Sequence, residues 1–365
     1  MTTISTIDFV VMGVYLILLL ILGYAIRKMT SNVSDYFRGG CKGTWWLVGM
    51  SIFISSISAR TFTANAGVGY TDGWTVNAIY LANIVAALVM VLLAGRFRRI
   101  RATTMPEVVR LRYGVGLEQF YAYWGVIFGN IGGATMLWAL AIFCSAVFQI
   151  DLTTTIIVLG VVVIFYSCSG GRWAVMATDF LQGLIIMPIT FLIAILALIQ
   201  LGGIGGMFGE IHAQGLTEQF KMVKEYDMST LGNYSLQWIM AVVISQIIFS
   251  MTLGSAVRFF SVKDEREGRK AAWLNVGLCV IGAAIWIVPA IAARLLFPEV
   301  VDGMDIGKPA EAAYAVVSMQ LLPLGLLGIM VIAMFSTTAS TLDTGLNGAA
   351  GIVVINMYPA ICRRF

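Results

Sequence analysis

Histidine is almost missing: His212 is the only one in 365 residues. A multi-histidine zinc or catalytic site is therefore excluded. The five cysteines (Cys41, Cys144, Cys168, Cys279, Cys362) show no CxxC spacing and fall mostly in or near apolar runs. Buried thiols are expected rather than disulfides or metal ligands. Neither HExxH nor GxSxG occurs, so the sequence carries no signature of an enzyme. Nothing resembles the carbonyl-ring filter of a channel. Charge is scarce too, at 12% of residues, where a soluble domain carries about 25%.

What is abundant is apolar chain. Hydrophobic residues make up 59%, and runs near twenty residues recur along the whole length. That is the pattern of an all-α polytopic membrane protein. Nine spans are read, at about 6–27, 44–70, 74–96, 119–149, 152–168, 173–201, 233–258, 272–297 and 318–357. The longest polar stretch runs only from Gly202 to Asn233. The first span has no basic leader and no small-residue cleavage site, so it reads as a retained helix.

Charge orients the spans. With the N-terminus outside, the inner loops receive Arg27, Lys28, Arg38 and Lys42, the arginines from Arg96 to Arg112, Arg172, the cluster Arg258–Lys270, and Arg363 and Arg364. Only Lys221, Lys224, Arg294 and Lys308 fall outside, which satisfies the positive-inside rule. The net charge of +4 then reflects loops facing anionic lipid and calls for no nucleic acid. A multi-pass plasma-membrane protein, in a bacterial inner membrane, with the C-terminal end of this chain inside, is the expectation.

Most spans are plain; the first, "IDFVVMGVYLILLLILGY", is apolar all round and is read as free of chemistry. In the fourth, Gly125, Gly129 and Gly133 form a row that allows close helix packing. The second is different. "SISARTFTANAG", Ser56–Gly67, places Ser56, Ser58, Arg60, Thr61, Thr63 and Asn65 at membrane depth. Polar, helix-breaking sequence survives there only where it lines a cavity or is buried in protein. The seventh span ends in the Ser/Thr/Gly-rich "SMTLGSAVRFF" around Gly254. Two interrupted helices, five spans apart and in opposite orientation, point to an inverted-repeat transporter with its ligands at the breaks. In the ninth span Ala333, Ser336, Thr337 and Ser340 follow i, i+3, i+4, i+7 and share a face. Such a face offers oxygen ligands to a hard cation. The alternative is that each hydroxyl merely bonds the preceding turn. Asp179, Gln182 and Asp343 are further polar residues inside spans. For Arg60 two partners are open: a substrate carboxylate, or an internal acid such as Asp343 or Asp72.

Four stretches resemble the sodium:solute symporter family: "TTMPEVVRLRYG" (Thr103–Gly114), placed in an inner loop, "SGGRWAVMATDFLQG" (Ser169–Gly183), "RFFSVKDEREGRKAAWLN" (Arg258–Asn275) and "FSTTASTLDTGLNG" (Phe335–Gly348). The resemblance implies a LeuT-like fold of two inverted five-helix repeats behind an extra first helix. It divides the chain into residues 1–43 (first helix and inner loop), 44–201 (first repeat), 202–232 (outer loop) and 233–365 (a partial second repeat of three helices). The family has two further helices, so an incomplete second repeat is expected. The implied coupling ion is Na+, held by carbonyls of Ile54, Ile57 and Ala333 and by hydroxyls of Ser336 and Thr337. Some members bind a second Na+, and those positions fall on Asp179, Ser336, Ala339 and Ser340; Ala339 departs from the pattern. Asp179 and Ser340 are thus expected at a second sodium site or on the sodium exit path, with pairing of Asp179 to Arg172 as the structural alternative. Implied solute-binding positions are Thr61, Tyr80, Asn83, Thr252 and Cys279, with Ser56 and Arg60 at the break beside them. The residues that hold sugar in the sugar carriers are absent. The expected function is sodium-coupled import of a small organic solute, not a typical sugar, with a carboxylate or an amino acid as candidates. The alternative is a non-transporting sensor or shortened relative.

Overall fold

The computed structural model describes residues 5–26, 39–100, 102–167, 172–228, 233–252, 256–304 and 306–362. Cys168, Ser169–Gly171 and Gly254 lie outside those residues, as does the side chain of Arg172. The described chain is helical throughout, and its only β pairing is an isolated bridge between Gly43 and Val262. Five helical stretches are long and apolar enough to cross a membrane, and four shorter apolar helices accompany them.

The first helix, α1 (Thr6–Ile26), is fixed at its start by Asp8. The carboxylate accepts the Ser5 N–H and hydroxyl at 2.9 and 2.8 Å, and the Gly328 N–H at 2.8 Å. The second span is broken into three pieces: α2 (Trp45–Ser56), α3 (Ala59–Phe62) and α4 (Ala64–Asp72). Ile57 and Ser58 between the first two are extended, at φ −99°, ψ 135° and φ −139°, ψ 176°. A run of serines, threonines and β-branched residues gives the helix little propensity to continue through them.

Helices α5 (Val76–Ile100), α6 (Met105–Phe148), α7 (Leu152–Ser167) and α8 (Arg172–Gln200) follow. The fourth span starts earlier than the expected 119. "TTMPEVV" is a helix start rather than a loop, because Thr104 accepts the Glu107 N–H at 3.4 Å while the Glu107 carboxylate accepts the Thr103 N–H at 2.7 Å. That reciprocal capping, with Pro106 in the first turn, nucleates α6. The helix then kinks at Gly114, whose φ of 82° is open only to glycine at low cost. The outer loop contains α9 (Gly203–Ala213), which hydropathy alone did not separate.

The seventh span, α10 (Leu236–Ser250), stops well before 258, and a 3-10 turn follows at Val257–Ser261. The eighth, α11 (Glu265–Leu296), begins seven residues before the expected 272, at a cap where Asp264 accepts the Glu267 N–H at 2.9 Å. That hydrogen bond holds the Asp264 carboxyl below the usual carboxylate range. The ninth span is two helices, α12 (Ala313–Leu321) and α13 (Leu326–Ile352), separated at Pro323 and at Gly325, whose φ is 86°. A π turn at Val353–Met357 leads to α14 (Tyr358–Cys362). The four described cysteines are free thiols, and of these Cys362 is exposed.

Helix α11 packs along α5, α2 and α8, and α13 packs on α6, α8 and α1. The broken helix lies between these groups. Its first half comes close to α11 at Gly49, where a Cβ would sit 2.8 Å from the Ala271 carbonyl oxygen. Gly49→Val is therefore expected to push α2 off α11 and cost about 1–3 kcal/mol. The thermal midpoint of the purified protein reads this, and an unchanged midpoint would show that the helices have room to spare.

Candidate cation and solute site

The break and α13 meet at Thr338, which lies beside the Ala333–Ser340 face on the helix. Thr338 joins them directly: its hydroxyl accepts the Ala59 N–H at 2.9 Å and donates to the Met334 carbonyl at 3.0 Å. Ala59 opens the half-helix α3, so this bond satisfies one of its orphan donors. Thr338→Val keeps the shape and removes the acceptor. The buried N–H then loses its partner, which costs about 1–3 kcal/mol. A fall in thermal stability is expected, and a wild-type melting curve would rule the tie out.

Ala333, Ser336, Thr337 and Ser340 are all buried on α13. The Thr337 hydroxyl donates to the Met334 carbonyl at 3.0 Å. Ser336 donates to the Tyr15 hydroxyl of α1 at 2.9 Å. The first helix therefore contributes a polar contact, contrary to its reading as free of chemistry. Both hydroxyls have spent their proton on a neighbour and keep lone pairs for a cation. At the break, Ile54 and Ile57 are buried, and the Ile54 carbonyl accepts the Ile57 N–H at 3.2 Å. The Ile57 carbonyl accepts no hydrogen bond among the described residues. In inverted-repeat transporters, carbonyls freed at a broken helix coordinate cations.

A small cavity of about 20 Å³ adjoins the same break, lined by Ser56, Ile57, Thr61, Tyr80, Asn83, Cys279 and Trp286. All of these except Trp286 are among the residues expected from the sequence to meet Na+ or solute. The Ser56 hydroxyl donates to Phe53 O at 2.6 Å. Trp286 of α11 closes the space. It stacks on Phe53 at 6.1 Å and meets Phe62 and Tyr80 edge-on at 6.0 and 5.9 Å. Its Nε1 is buried with no hydrogen-bond partner. A larger cavity of about 410 Å³ lies away from the break, between Trp74, Asn77 and the outer loop around Phe220 and Lys221.

Two expected solute residues stand apart from this cavity. Thr252 is exposed, donates to Phe249 O at 2.7 Å and is not among the lining residues. The helix α10 ends at Ser250, which carries Thr252 beyond the packed region. Arg60 is exposed and makes no ion pair among the described residues. Its two proposed internal partners are engaged elsewhere: Asp72 pairs with Lys224, and Asp343 accepts from Asn347 at 2.7 Å.

Asp179 and Ser340 do come together. The Ser340 hydroxyl donates to one carboxylate oxygen of Asp179, and the Ser51 hydroxyl donates to the other. The cationic partner is Arg258, whose Nη1 lies 3.3 Å from the Asp179 carboxylate. Sequence reading had counted Arg258 as a loop charge. Its flanks, Ala256, Val257, Phe259 and Phe260, were the available signal of burial.

A model of the sodium:solute symporter family matches residues 36–365. The chain belongs to that family. Among curated relatives, sodium/myo-inositol cotransporter 2 of Sus scrofa is 26% identical over 402 residues, covering 98% of this chain and 57% of its own length. The sodium/sialic acid symporter SiaT of Proteus mirabilis is 23% identical over 361 residues, covering 98% of this chain and 72% of the relative. The chain thus spans little more than half the length of the myo-inositol relatives it matches. A solved Na+-coupled sialic acid symporter, in a substrate-bound outward-open state, superposes with a TM-score of 0.84 at 21% identity, over 97% of this chain and 75% of that one. The family fold is therefore the LeuT-like one expected, and the chain is a multi-pass membrane protein.

Proposed function

We propose that this family member couples Na+ to the movement of a small hydrophilic solute that carries a carboxylate. The observation that carries the reading is the position of Ile57. Its carbonyl accepts no hydrogen bond among the described residues, and the residue itself lines the cavity with Ser56, Thr61, Tyr80 and Asn83. One unwound peptide thus serves both ligands. The Na+ ligands are the carbonyls of Ile54, Ile57 and Ala333 and the hydroxyls of Ser336 and Thr337. Five oxygens of this kind suit a hard monovalent cation. The cavity has room for about one water molecule, so the solute enters only when the helices around the break separate. Alternating access of that kind is how inverted-repeat transporters work. The basic loops put the N-terminus outside and α14 inside.

Arg60 supports the carboxylate. It stands three residues past Ile57 with no acid paired to it among the described residues, and guanidinium grips a carboxylate in a two-point fork. The sialic acid symporters among its relatives act on an acidic sugar. A neutral polyol is the second reading, favoured by a cavity lining that carries no charge. Uptake into proteoliposomes of sialic acid, small carboxylates, amino acids, nucleosides and myo-inositol, with and without a Na+ gradient, tests both. Arg60→Lys keeps the charge and loses the fork. It is expected to raise KM for the carboxylate about ten-fold and to spare neutral solutes, one lost charge-assisted contact being worth roughly 1.5–3 kcal/mol. Sodium-driven uptake of myo-inositol alone, unaffected at Arg60, would replace the first reading by the second.

A further inference from the structure

The family pattern implies a second Na+ near Asp179, but the oxygens here do not assemble one. Ala339 offers a methyl group where a hydroxyl is required, and Ser336 is assigned to the first Na+. The remaining members, Asp179 and Ser340, already share their space with a cation of the chain itself. Arg258 reaches in from the 3-10 turn at Val257–Ser261. Its Nη1 donates to the Ser51 carbonyl at 3.0 Å and to the Ser51 hydroxyl, and lies 3.3 Å from Asp179. Its Nη2 donates to the Ser55 hydroxyl and, at 2.7 Å, to the Thr344 hydroxyl. The Arg258 side chain is 11% exposed and Asp179 is fully enclosed.

We propose that the Arg258 guanidinium is a permanent tethered cation at this second position, so that the chain takes up one Na+ and not two. The argument is one of charge and donors. A buried carboxylate needs a counter-charge. A bare Na+ would need five or six oxygens around it. A guanidinium instead needs acceptors, and it finds them in Asp179, the Ser51 carbonyl and three hydroxyls drawn from α2 and α13. Ser51 and Ser55 sit one turn apart on α2 and both accept from the guanidinium; on α13 Thr344 accepts from it, while Ser340, one turn earlier, donates to Asp179. The proposal rests on the sodium coupling proposed above, and it adds a stoichiometry.

Counting radioactive sodium bound at saturation by the purified full chain in detergent reads this without any transport step. One Na+ per chain is expected for wild type, and still one for Asp179→Asn. Arg258→Gln leaves the carboxylate and its serines without their cation, and a second Na+ is expected to bind there. Two Na+ in wild type, with one lost in Asp179→Asn, would overturn the proposal. So would a folded Arg258→Gln that stays at one. If that variant does not fold, the wild-type count decides by itself. A wild type that binds no Na+ fails the coupling reading first, which separates the two failures.

Discussion

Sodium affinity is expected to fall about ten-fold or more when Ser336 or Thr337 is replaced by alanine, and sodium dependence is expected to vanish in the double variant. Both hydroxyls are buried, and each donates its proton away from the break, to Tyr15 and to the Met334 carbonyl. Their lone pairs are what remains for a cation. Removing one charge-assisted oxygen costs roughly 1.5–3 kcal/mol, which is about ten- to a hundred-fold in affinity. Alanine leaves only a small gap on a well-packed face, so protein yield and thermal midpoint without Na+ should change little. Thr337→Ser retains the oxygen and should retain affinity. Tyr15→Phe removes the partner of Ser336 and not the ligand, and its effect should be several-fold smaller than that of Ser336→Ala. Sodium-dependent thermal shift of each purified variant is the measurement. Two single variants with wild-type sodium response would remove Ser336 and Thr337 from the ligand set.

Trp286 should affect both stability and solute. Truncation to alanine removes a ring packed on Phe53, Phe62 and Tyr80, and a loss of about 3–5 kcal/mol in stability is expected. Trp286→Phe is the informative change. It keeps most of the packing and deletes the Nε1 donor, which is buried without a partner. An unsatisfied buried donor on a residue that lines the cavity gains when a solute acceptor reaches it. The phenylalanine variant is therefore expected to melt close to wild type while its KM for the solute rises about ten-fold. A variant that melts normally and transports normally would make Trp286 a lid and nothing more.

How much of this was visible in the sequence follows from what kind of interaction made each part. The spans and the break in the second one were legible, because hydropathy and a cluster of serines and threonines are local signals. The face of Ala333, Ser336, Thr337 and Ser340 was legible from its period. Helix starts were misplaced where a capping pair extends a helix into charged sequence, as Thr104 with Glu107 and Asp264 with Glu267 do. The misses in the site are all long-range. Tyr15 is one hydroxyl in an apolar helix, and nothing nearby says it will meet Ser336 more than three hundred residues on. Trp286 reads as one more aromatic in a span. Arg258 was assigned to a loop by its neighbours Lys263 and Arg266, although four apolar residues enclose it. Asp179 reads from the sequence as a residue of a second sodium site or the exit path, or as a partner of Arg172; the structure sets Arg258 beside it, which depended on how the turn after α10 folds back.

The Ile57 peptide has a thermodynamic consequence. If a single carbonyl leans toward Na+ while its own residue walls the solute cavity, then binding either ligand narrows the conformations open to the other. Linkage makes this symmetrical: whatever factor Na+ adds to solute affinity, solute must add to Na+ affinity, typically 5- to 150-fold. The energy stored in an ion gradient would then pass to the solute through one turn of unwound backbone, with no relay across the protein. A lesion there, such as Ser58→Gly loosening the extended turn, should weaken that exchange before it weakens either ligand alone. The leak of Na+ without solute is the quantity that would reveal it.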